Sequence, residues 1–192
     1  MTVIGRLAFL GITTGLILSA VPATFAANEQ QAVLVTGASS GIGRKITEVL
    51  ASKGYFVYAG ARKEQDLAEL NAIENVQSIR LDVTVQEDID NAVDTVTQAG
   101  RGLHGLVNNA GVGVVGSATQ MTEADLHFTM DVNVFGPYRI TRAFAPLIIE
   151  SKGRITTIGS ISGILSSRRL AAYSMSKPVS YTHLTLPTIY SV

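Results

Sequence analysis

Five short apolar segments alternate with amphipathic stretches along residues 31–177, and this alternation restricts the fold more than any other feature. The segments lack the strict alternation of polar and apolar residues that is typical of a half-exposed strand. They are therefore expected to be strands buried on both faces. Strands that alternate with helices predict an α/β fold, with a doubly wound parallel sheet between two layers of helices. The predicted strands are Ala32–Val35, Tyr55–Tyr58, Val76–Leu81, Leu103–Val107 and Ile155–Ile158.

Two of the intervening stretches show apolar side chains at helical spacing, which predicts helices with one face on the sheet. Right-handed crossovers place the C-terminal ends of all parallel strands at one edge, where open α/β sheets bind ligands. The predicted helical faces consist of Ile42, Ile46, Val49 and Leu50, and of Ile89, Val93 and Val96.

Composition excludes several function classes. The 15 Lys and Arg residues balance 15 Asp and Glu residues, and no basic cluster exceeds a pair, so a nucleic-acid partner is not expected. The chain has no Cys, and His104, His127 and His183 lack any paired ligand spacing, so no metal site is predicted. The predicted partner is a small molecule.

The first 26 residues predict a signal peptide or an N-terminal membrane anchor. Arg6 precedes the apolar run 7–21, and small residues around Ala26 offer a cleavage site. Residues 7–27 are also long enough to anchor the chain in a bilayer, although Pro22 favours cleavage. The protein is therefore expected to be exported, periplasmic or membrane-anchored. The alternative is a mis-assigned start codon and a cytoplasmic protein.

A glycine-rich loop follows the first predicted strand and opens the first helix. Gly37, Gly41 and Gly43 have the spacing Gly-x3-Gly-x-Gly. Glycines allow unusual dihedral angles and close approach of the backbone to a ligand, and the helix N-terminus attracts a phosphate. The position between strand and helix favours a dinucleotide over the alternative, an ordinary tight turn.

Residues 31–177 resemble the short-chain dehydrogenase/reductase family, because five motifs follow the glycine loop in the family's order. The resemblance implies a Rossmann-like NAD(P)-binding domain over 31–177. Such an enzyme is expected to form a homo-oligomer. After the loop, Thr36 to Gly43, the five motifs are Asp82 in Leu-Asp-Val-Thr, Asn108-Asn109-Ala110-Gly111, Asn133 in Asn-Val-Phe-Gly, Ser160, and Tyr173-Ser-Met-Ser-Lys177.

The cofactor preference depends on the end of the second strand, where an acidic residue would bind a free ribose 2′-hydroxyl. Arg62 and Lys63 stand there instead, and a guanidinium suits a 2′-phosphate. NADP(H) is therefore favoured, NAD(H) stays possible, and a solvated helix start is the alternative for this basic pair. The predicted cofactor-binding residues are Gly37, Ser39, Ser40, Gly41, Ile42, Gly43, Arg62, Asp82, Asn109, Gly111, Tyr173 and Lys177.

The resemblance assigns further roles in cofactor binding. Asp82 would hold the adenine amino group and Asn109 would line the cleft. Lys177 would also bind the nicotinamide ribose. Taken without the family, Asp82 could equally be a helix N-cap.

Four residues are predicted to be catalytic. Tyr173 and Lys177 are four residues apart and share one helix face, where the ammonium would favour the phenolate and prepare Tyr173 for acid–base catalysis. By resemblance, Ser160 would bind the substrate oxygen, with Ser162 as the weaker alternative. Asn133 would hold a water in a proton relay. Taken alone, Asn133 could be an ordinary helix-bending polar residue.

Residues 178–192 are predicted to be a non-native tail. Pro178 disfavours helix at Lys177, so the catalytic helix is expected to end there. Val179 to Thr188 resembles the translation of a transposase-type sequencing adapter, which predicts a truncated, C-terminally incomplete fold. A natural β-prone tail is the alternative, and the DNA after codon 178 distinguishes the two.

The predicted function is an NADP(H)-preferring oxidoreductase that interconverts a secondary alcohol and a ketone or aldehyde carbonyl. Hydride comes from the cofactor, and Tyr173 donates or accepts the proton. The alternatives are a non-catalytic dinucleotide-binding protein and an inactive fragment of such an enzyme.

Overall fold

The computed structural model describes residues 30–182, with side chains described through residue 180. These residues form one parallel sheet of five strands in the order β3-β2-β1-β4-β5. This order confirms the predicted doubly wound sheet. The strands are β1 (Ala32–Val35), β2 (Phe56–Ala61), β3 (Val76–Arg80), β4 (Gly105–Asn108) and β5 (Arg154–Thr157).

Helices connect and cover the strands. A π-helical turn, Asp131–Phe135, joins α4 to α5, and a short 3-10 turn, Ile161–Gly163, follows β5. The α-helices are α1 (Gly41–Ser52), α2 (Glu64–Asn71), α3 (Gln86–Gln98), α4 (Glu123–Met130), α5 (Gly136–Glu150), α6 (Ala171–Ser176) and α7 (Val179–Thr182).

Both faces of the central strands are buried. Leu34 of β1 packs with Ile89 and Phe144 in one core, whereas Val33 and Val35 pack in the other core on the opposite face. Successive side chains of a strand point to opposite faces of the sheet, which is why neighbouring residues of β1 belong to different cores. Continuous apolar sequence is what a strand between two helical layers requires.

The two outer strands, β3 and β5, correct the expectation that all five strands are buried. In β3 only Ile79 is buried, and Arg80 is exposed. In β5, Arg154 and Thr156 are exposed, while Ile155 and Thr157 are half-buried. β5 pairs with β4 alone among the described residues, so it lacks a second neighbouring strand there. The predicted bounds of β2 and β4 were also displaced, because β2 extends to Ala61 and β4 begins only at Gly105.

Helix α1 confirms half of its predicted apolar face and corrects the other half. Ile46 and Leu50 pack against the core, but Ile42 is 62% exposed and Val49 is 39% exposed. The first turn of α1 lies very close to the glycine loop, since a Cβ on Gly43 would overlap the carbonyl oxygen of Gly37. The predicted face of α3 is confirmed, since Ile89 and Val96 are buried and Val93 packs against them.

Within residues 30–182, no helix is long and apolar enough to cross a membrane. The predicted signal or anchor over residues 1–26 lies outside the described residues. Of the predicted tail, residues 178–182 are described, and α7 begins directly after Pro178. Residues 183–192 lie outside the described part.

Candidate active site

The glycine loop lies at the C-terminal ends of β1 and β4, where the strand order reverses direction. Gly37 and Gly41 have φ angles of +64° and +55°, a region that disfavours residues with a Cβ. A Cβ on Gly37 would also lie only 2.8 Å from the Cα of Ala110. The loop therefore requires glycine both for its backbone conformation and for its close contact with the segment after β4.

Thr36 and Asn109 hold this loop against β4. The Thr36 hydroxyl oxygen accepts from the backbone N–H groups of Asn109 and Ala110, each at 3.0 Å. The Asn109 side-chain amide donates to the carbonyl oxygens of Thr36 and Gly37, also at 3.0 Å. Asn109 thus shapes the loop as well as lining the cleft. Thr36 was not predicted to be a site residue, although a buried polar residue at the end of an apolar strand was a usable signal.

A cleft of about 320 Å³ opens beside the loop and brings together most of the predicted cofactor-binding residues. Gly41 contributes its backbone conformation and does not line the cleft. The predicted residues that do line it are Gly37, Ser39, Ser40, Ile42, Gly43, Arg62, Asp82, Asn109 and Gly111.

The cleft fits the phosphates and adenosine of a nicotinamide dinucleotide. Ser40 is the N-cap of α1, yet its side chain makes no capping hydrogen bond, so it does not occupy the first-turn N–H donors that bind phosphate in such loops. Arg62 adds a cation and Asn109 a polar amide group. Exposed Ile42 lines the cleft, which explains why this apolar side chain is outside the core.

Arg62 and Asp82 form an ion pair at the far end of the cleft, with 3.5 Å between Nη1 and Oδ2. The other oxygen of Asp82 accepts from the backbone N–H of Thr84 at 2.9 Å and from its hydroxyl at 2.7 Å. Partial burial by itself would raise the pKa of Asp82. The Thr84 hydrogen bonds and the charge of Arg62 outweigh it, so the pKa lies below its ordinary value.

One alternative from the sequence is resolved here. Asp82 is not a helix N-cap, since α3 begins at Gln86 and Val85 occupies the N-cap position. For the basic pair, Lys63 is the N-cap of α2 and the Arg62 guanidinium, 59% exposed, lies beside Asp82, so the solvated helix start and the phosphate contact both stay predictions.

A second cavity, of about 480 Å³, adjoins the first and contains three of the predicted catalytic residues, Ser160, Tyr173 and Lys177. The two cavities share Ile42, Asn109, Gly111 and Val112, so they form one continuous cleft. Ser162 does not line it, and its backbone N–H donates to the hydroxyl of Ser160 at 3.2 Å. Ser160 is therefore the serine that the fold places in the cavity.

Lys177 lies beside Tyr173 at the end of α6. Its ammonium nitrogen is 5.3 Å from the centroid of the Tyr173 ring and donates to the carbonyl oxygen of Ile158 at 3.2 Å. The residue is only 7% exposed, and this burial lowers the pKa of Lys177 from its ordinary value. The side chains of Tyr173 and Lys177 are therefore close together, as predicted.

Asn133 lies in the π-helical turn between α4 and α5 and is buried. Its Oδ1 accepts from the N–H of Val112 at 2.8 Å, and its Nδ2 donates to the carbonyl of Val112 and to the hydroxyl of Ser176, each at 2.9 Å. Asn133 therefore lies in an irregular helical turn and also contacts Ser176 of α6, while its role in holding a water stays a prediction. Ser176 was missed, although it directly precedes Lys177.

Gly111 separates these groups. A Cβ at this position would be 3.4 Å from Oδ1 of Asn133 and 3.8 Å from the Lys177 nitrogen. Residues 30–182 contain no cluster of three or more His, Asp or Glu side chains suited to a metal ion.

Comparison with known proteins gives the family. A model of the short chain dehydrogenases matches residues 31–185. The chain belongs to the short-chain dehydrogenase family. The family match covers the glycine loop, the ion pair and all four predicted catalytic residues.

Individual members of the short-chain dehydrogenase family are similar over most of the chain. A 3-amino-tetrahydro-pyrrolizinone reductase from Xenorhabdus hominickii is 35% identical over 150 residues, which are 77% of this chain and 52% of the relative. A short-chain dehydrogenase from Streptomyces avermitilis is 38% identical with a TM-score of 0.74, covering 80% of this chain and 58% of that one.

An alcohol dehydrogenase from Thermococcus sibiricus, solved with 5-hydroxy-NADP, is 25% identical with a TM-score of 0.75 and covers 79% of this chain and 67% of that one. The chain spans about half the length of the curated relatives it matches.

Proposed function

We propose that the protein is an NADP(H)-preferring oxidoreductase that interconverts a secondary alcohol and a ketone or aldehyde carbonyl. The observation that carries the proposal is the single continuous cleft. The glycine loop lies at one end, and Ser160, Tyr173 and Lys177 line the other. A dinucleotide along this cleft would place its reactive ring beside a phenol and a buried ammonium.

The protein residues hold the substrate oxygen and move its proton. A bound nicotinamide supplies hydride to the carbonyl carbon, or accepts it from the alcohol carbon in the reverse direction. Ser160 binds the substrate oxygen through its hydroxyl. Tyr173 gives its phenolic proton to that oxygen during reduction and takes it back during oxidation. Charge balances because one hydride and one proton convert the carbonyl to an alcohol.

Lys177 and Asn133 support Tyr173. The ammonium of Lys177, near the Tyr173 ring, stabilises the phenolate that forms when the proton leaves. Asn133 fixes the backbone of Val112, which lines both cavities. Its remaining proposed role is to hold a water that returns a proton to the site from solvent.

Preference for NADP(H) is supported by charge at the adenosine end. Arg62 lines the cleft directly after β2, and a guanidinium binds phosphate oxygens bidentately. One structural relative, the Thermococcus sibiricus alcohol dehydrogenase, was solved with an NADP derivative. NAD(H) would instead be favoured by an acidic residue at the end of β2, which this chain lacks.

The experiment is to follow NADPH absorbance with a panel of ketones, comparing the protein with Tyr173→Phe. Loss of the proton donor is expected to lower turnover about 10²-fold or more, while NADPH binding is retained. Tyr138→Phe is the matched control, because Tyr138 is an exposed tyrosine outside the cleft. Turnover that survives in Tyr173→Phe would overturn the proposed role. NADPH binding without any turnover would identify a dinucleotide-binding protein instead.

We also propose that residues 1–26 direct export or anchor the protein in a membrane, which would place the enzyme outside the cytoplasm or at a membrane surface. The support is the sequence pattern of Arg6, an apolar run and small residues. Reporter fusions after Ala27, one active only in the cytoplasm and one only outside it, test the location. A cytoplasmic signal from a soluble fusion would contradict it.

A further inference from the structure

Four charged residues form a closed ring where β2 and β3 end. Arg62 Nη1 lies 3.5 Å from Asp82 Oδ2, and the backbone N–H of Asp82 donates to Asp88 Oδ2 at 2.9 Å. The other oxygen of Asp88 lies 3.5 Å from Arg80 Nε. Arg80 Nη1 then donates to the backbone carbonyl of Arg62 at 2.9 Å, which closes the ring.

Asp88 is the buried anchor of this ring. Its side chain is 12% exposed, whereas those of Arg62 and Arg80 are each 59% exposed. A buried carboxylate requires donors or opposite charge to offset its lost hydration. Asp88 accepts a hydrogen bond from the Asp82 N–H and pairs with the Arg80 guanidinium, both from the C-terminal end of β3 and the residues after it. The parallel register pairs Ala61 with Arg80, so the Arg80 side chain reaches the first residue after β2.

The two halves of the ring differ in their relation to the cofactor cleft. Arg62 and Asp82 line the cleft, but Arg80 and Asp88 do not. The contacts of Arg80 are instead with the backbone carbonyl of Arg62 and the carboxylate of Asp88. The bond to the Arg62 carbonyl is what connects Arg80 to a residue that lines the cleft.

We propose that Arg80, anchored by Asp88, is a positioning residue that fixes Arg62 and thereby sets the selectivity for a 2′-phosphate on the adenosine ribose. The inference rests on the proposed preference for NADP(H). Bidentate contact with a phosphate depends on a guanidinium in a defined orientation. A ribose 2′-hydroxyl makes one ordinary hydrogen bond and depends much less on that orientation.

Asp82 makes this positioning necessary. Its carboxylate already engages the Arg62 guanidinium, so a 2′-phosphate must share that guanidinium with it or take its place. Such an exchange succeeds only if Arg62 stays within reach of both partners. The contact between Arg80 and the Arg62 carbonyl holds the backbone from which the guanidinium extends.

The test measures binding of NADPH and of NADH to the 192-residue chain by the fluorescence of the reduced nicotinamide, which is favourable because the chain has no Trp. Arg80→Gln removes the charge that pairs with Asp88 and shortens the side chain that reaches the Arg62 carbonyl, while Arg80→Lys keeps the charge and removes the planar fork that contacts both partners at once. Both are expected to weaken NADPH binding about five-fold and to change NADH binding less than about two-fold.

Two further variants test the same ring. Asp88→Asn keeps an acceptor for the Asp82 N–H but loses the charge that holds Arg80, so it should show the same selective loss. In the double variant Arg62→Ala/Arg80→Gln, the loss should equal that of Arg62→Ala alone, because Arg80 acts only through Arg62. Arg154→Gln is the matched control: its guanidinium also donates to backbone carbonyls, those of Lys152 and Gly153, at the start of β5.

The outcomes separate this inference from the proposed function. If Arg62→Ala lowers NADPH selectivity while the Arg80 and Asp88 variants do not, the positioning role is wrong and the cofactor preference stands. If Arg62→Ala leaves the selectivity for NADPH over NADH unchanged, the proposed preference for NADP(H) and the positioning role are both wrong. If Arg80→Lys retains the selectivity for NADPH and Arg80→Gln loses it, the effect is one of charge alone and the positioning role is wrong. Equal weakening of NADPH and NADH would show general damage to the fold.

Discussion

The side-chain amide of Asn133 donates to the hydroxyl of Ser176 across 2.9 Å, and that hydroxyl donates to the backbone carbonyl of Tyr173 at 2.8 Å. These bonds tie the π-helical turn to α6, the helix that carries Tyr173 and Lys177. Ser176 is fully buried. The link therefore fixes the helix that carries both candidate catalytic side chains from outside the cavity.

Ser176→Ala is expected to lower the free energy of unfolding by about 1–3 kcal/mol, because the buried amide of Asn133 loses its acceptor. Chemical denaturation measures the change. Ser174→Ala is the matched control on the same helix: its hydroxyl is buried and has no hydrogen-bond partner among the described residues, so a smaller loss is expected. Equal losses in the two variants would contradict the link.

Gly43→Ala is expected to disrupt the glycine loop, since the new methyl group would overlap the carbonyl oxygen of Gly37 and the amide of Asn109. Overpacking of this kind costs about 1–3 kcal/mol, and binding of NADPH should fall with it. Gly41→Ala serves as the comparison, because no atom lies within 4 Å of its Cβ position but φ is +55°. Thermal unfolding and NADPH titration of both variants distinguish the steric clash at Gly43 from the backbone strain at Gly41. An unchanged NADPH affinity in Gly43→Ala would contradict the close contact between Gly43 and Gly37.

Lys177 should make stability depend on alkaline pH. Burial lowers its pKa from 10.5 in the folded protein, so between that lowered pKa and 10.5 the unfolded chain binds more protons than the folded one. The contribution of Lys177 to the free energy of unfolding therefore rises with pH between these two values. The unfolding free energy of the wild type relative to Lys177→Met should increase accordingly.

Urea denaturation across this alkaline range measures the Lys177 effect. Lys53→Met controls for loss of an exposed lysine. A constant difference between wild type and Lys177→Met at all pH values would argue against a buried ammonium at this position.

Asp82 should have the opposite pH dependence. Its pKa lies below 3.8 in the folded protein because its Thr84 hydrogen bonds and the charge of Arg62 outweigh the effect of burial. The stabilisation is present above 3.8 and is lost as the pH falls through the folded pKa. Relative to Asp82→Asn, the wild type should lose stability in that acidic window, as followed by circular dichroism. The exposed Asp94→Asn is the control, and an equal acid response in both variants would count against the prediction.

Much of the fold could be predicted because each strand carries its own signal. Apolar runs marked all five strands, and the face of α3 followed from Ile89, Val93 and Val96. Strand bounds were less predictable, since β4 begins at Gly105 only because that residue pairs with Val33 of β1. The face of α1 was half right: Ile46 and Leu50 pack against the core, whereas Ile42 lines the cleft instead.

The candidate site was predictable where chemistry follows from short spacing. Tyr173 and Lys177 are one helical turn apart, and the glycine loop is contiguous in sequence. Ser176 and Thr36 were missed because their partners, Asn133 and Asn109, are 43 and 73 residues away. Hydrogen bonds over such separations leave no periodic pattern in the sequence.

The α/β class, the glycine loop and the candidate catalytic side chains could be predicted from sequence, because they depend on local periodicity and on residue chemistry. The tertiary structure alone shows that β1 lies between β2 and β4, and that one cleft joins the loop to Tyr173. It also decided that Arg80 reaches the carbonyl of Arg62, 18 residues earlier. Strand order and register set those contacts, and both arise from packing the whole sheet rather than from any one segment.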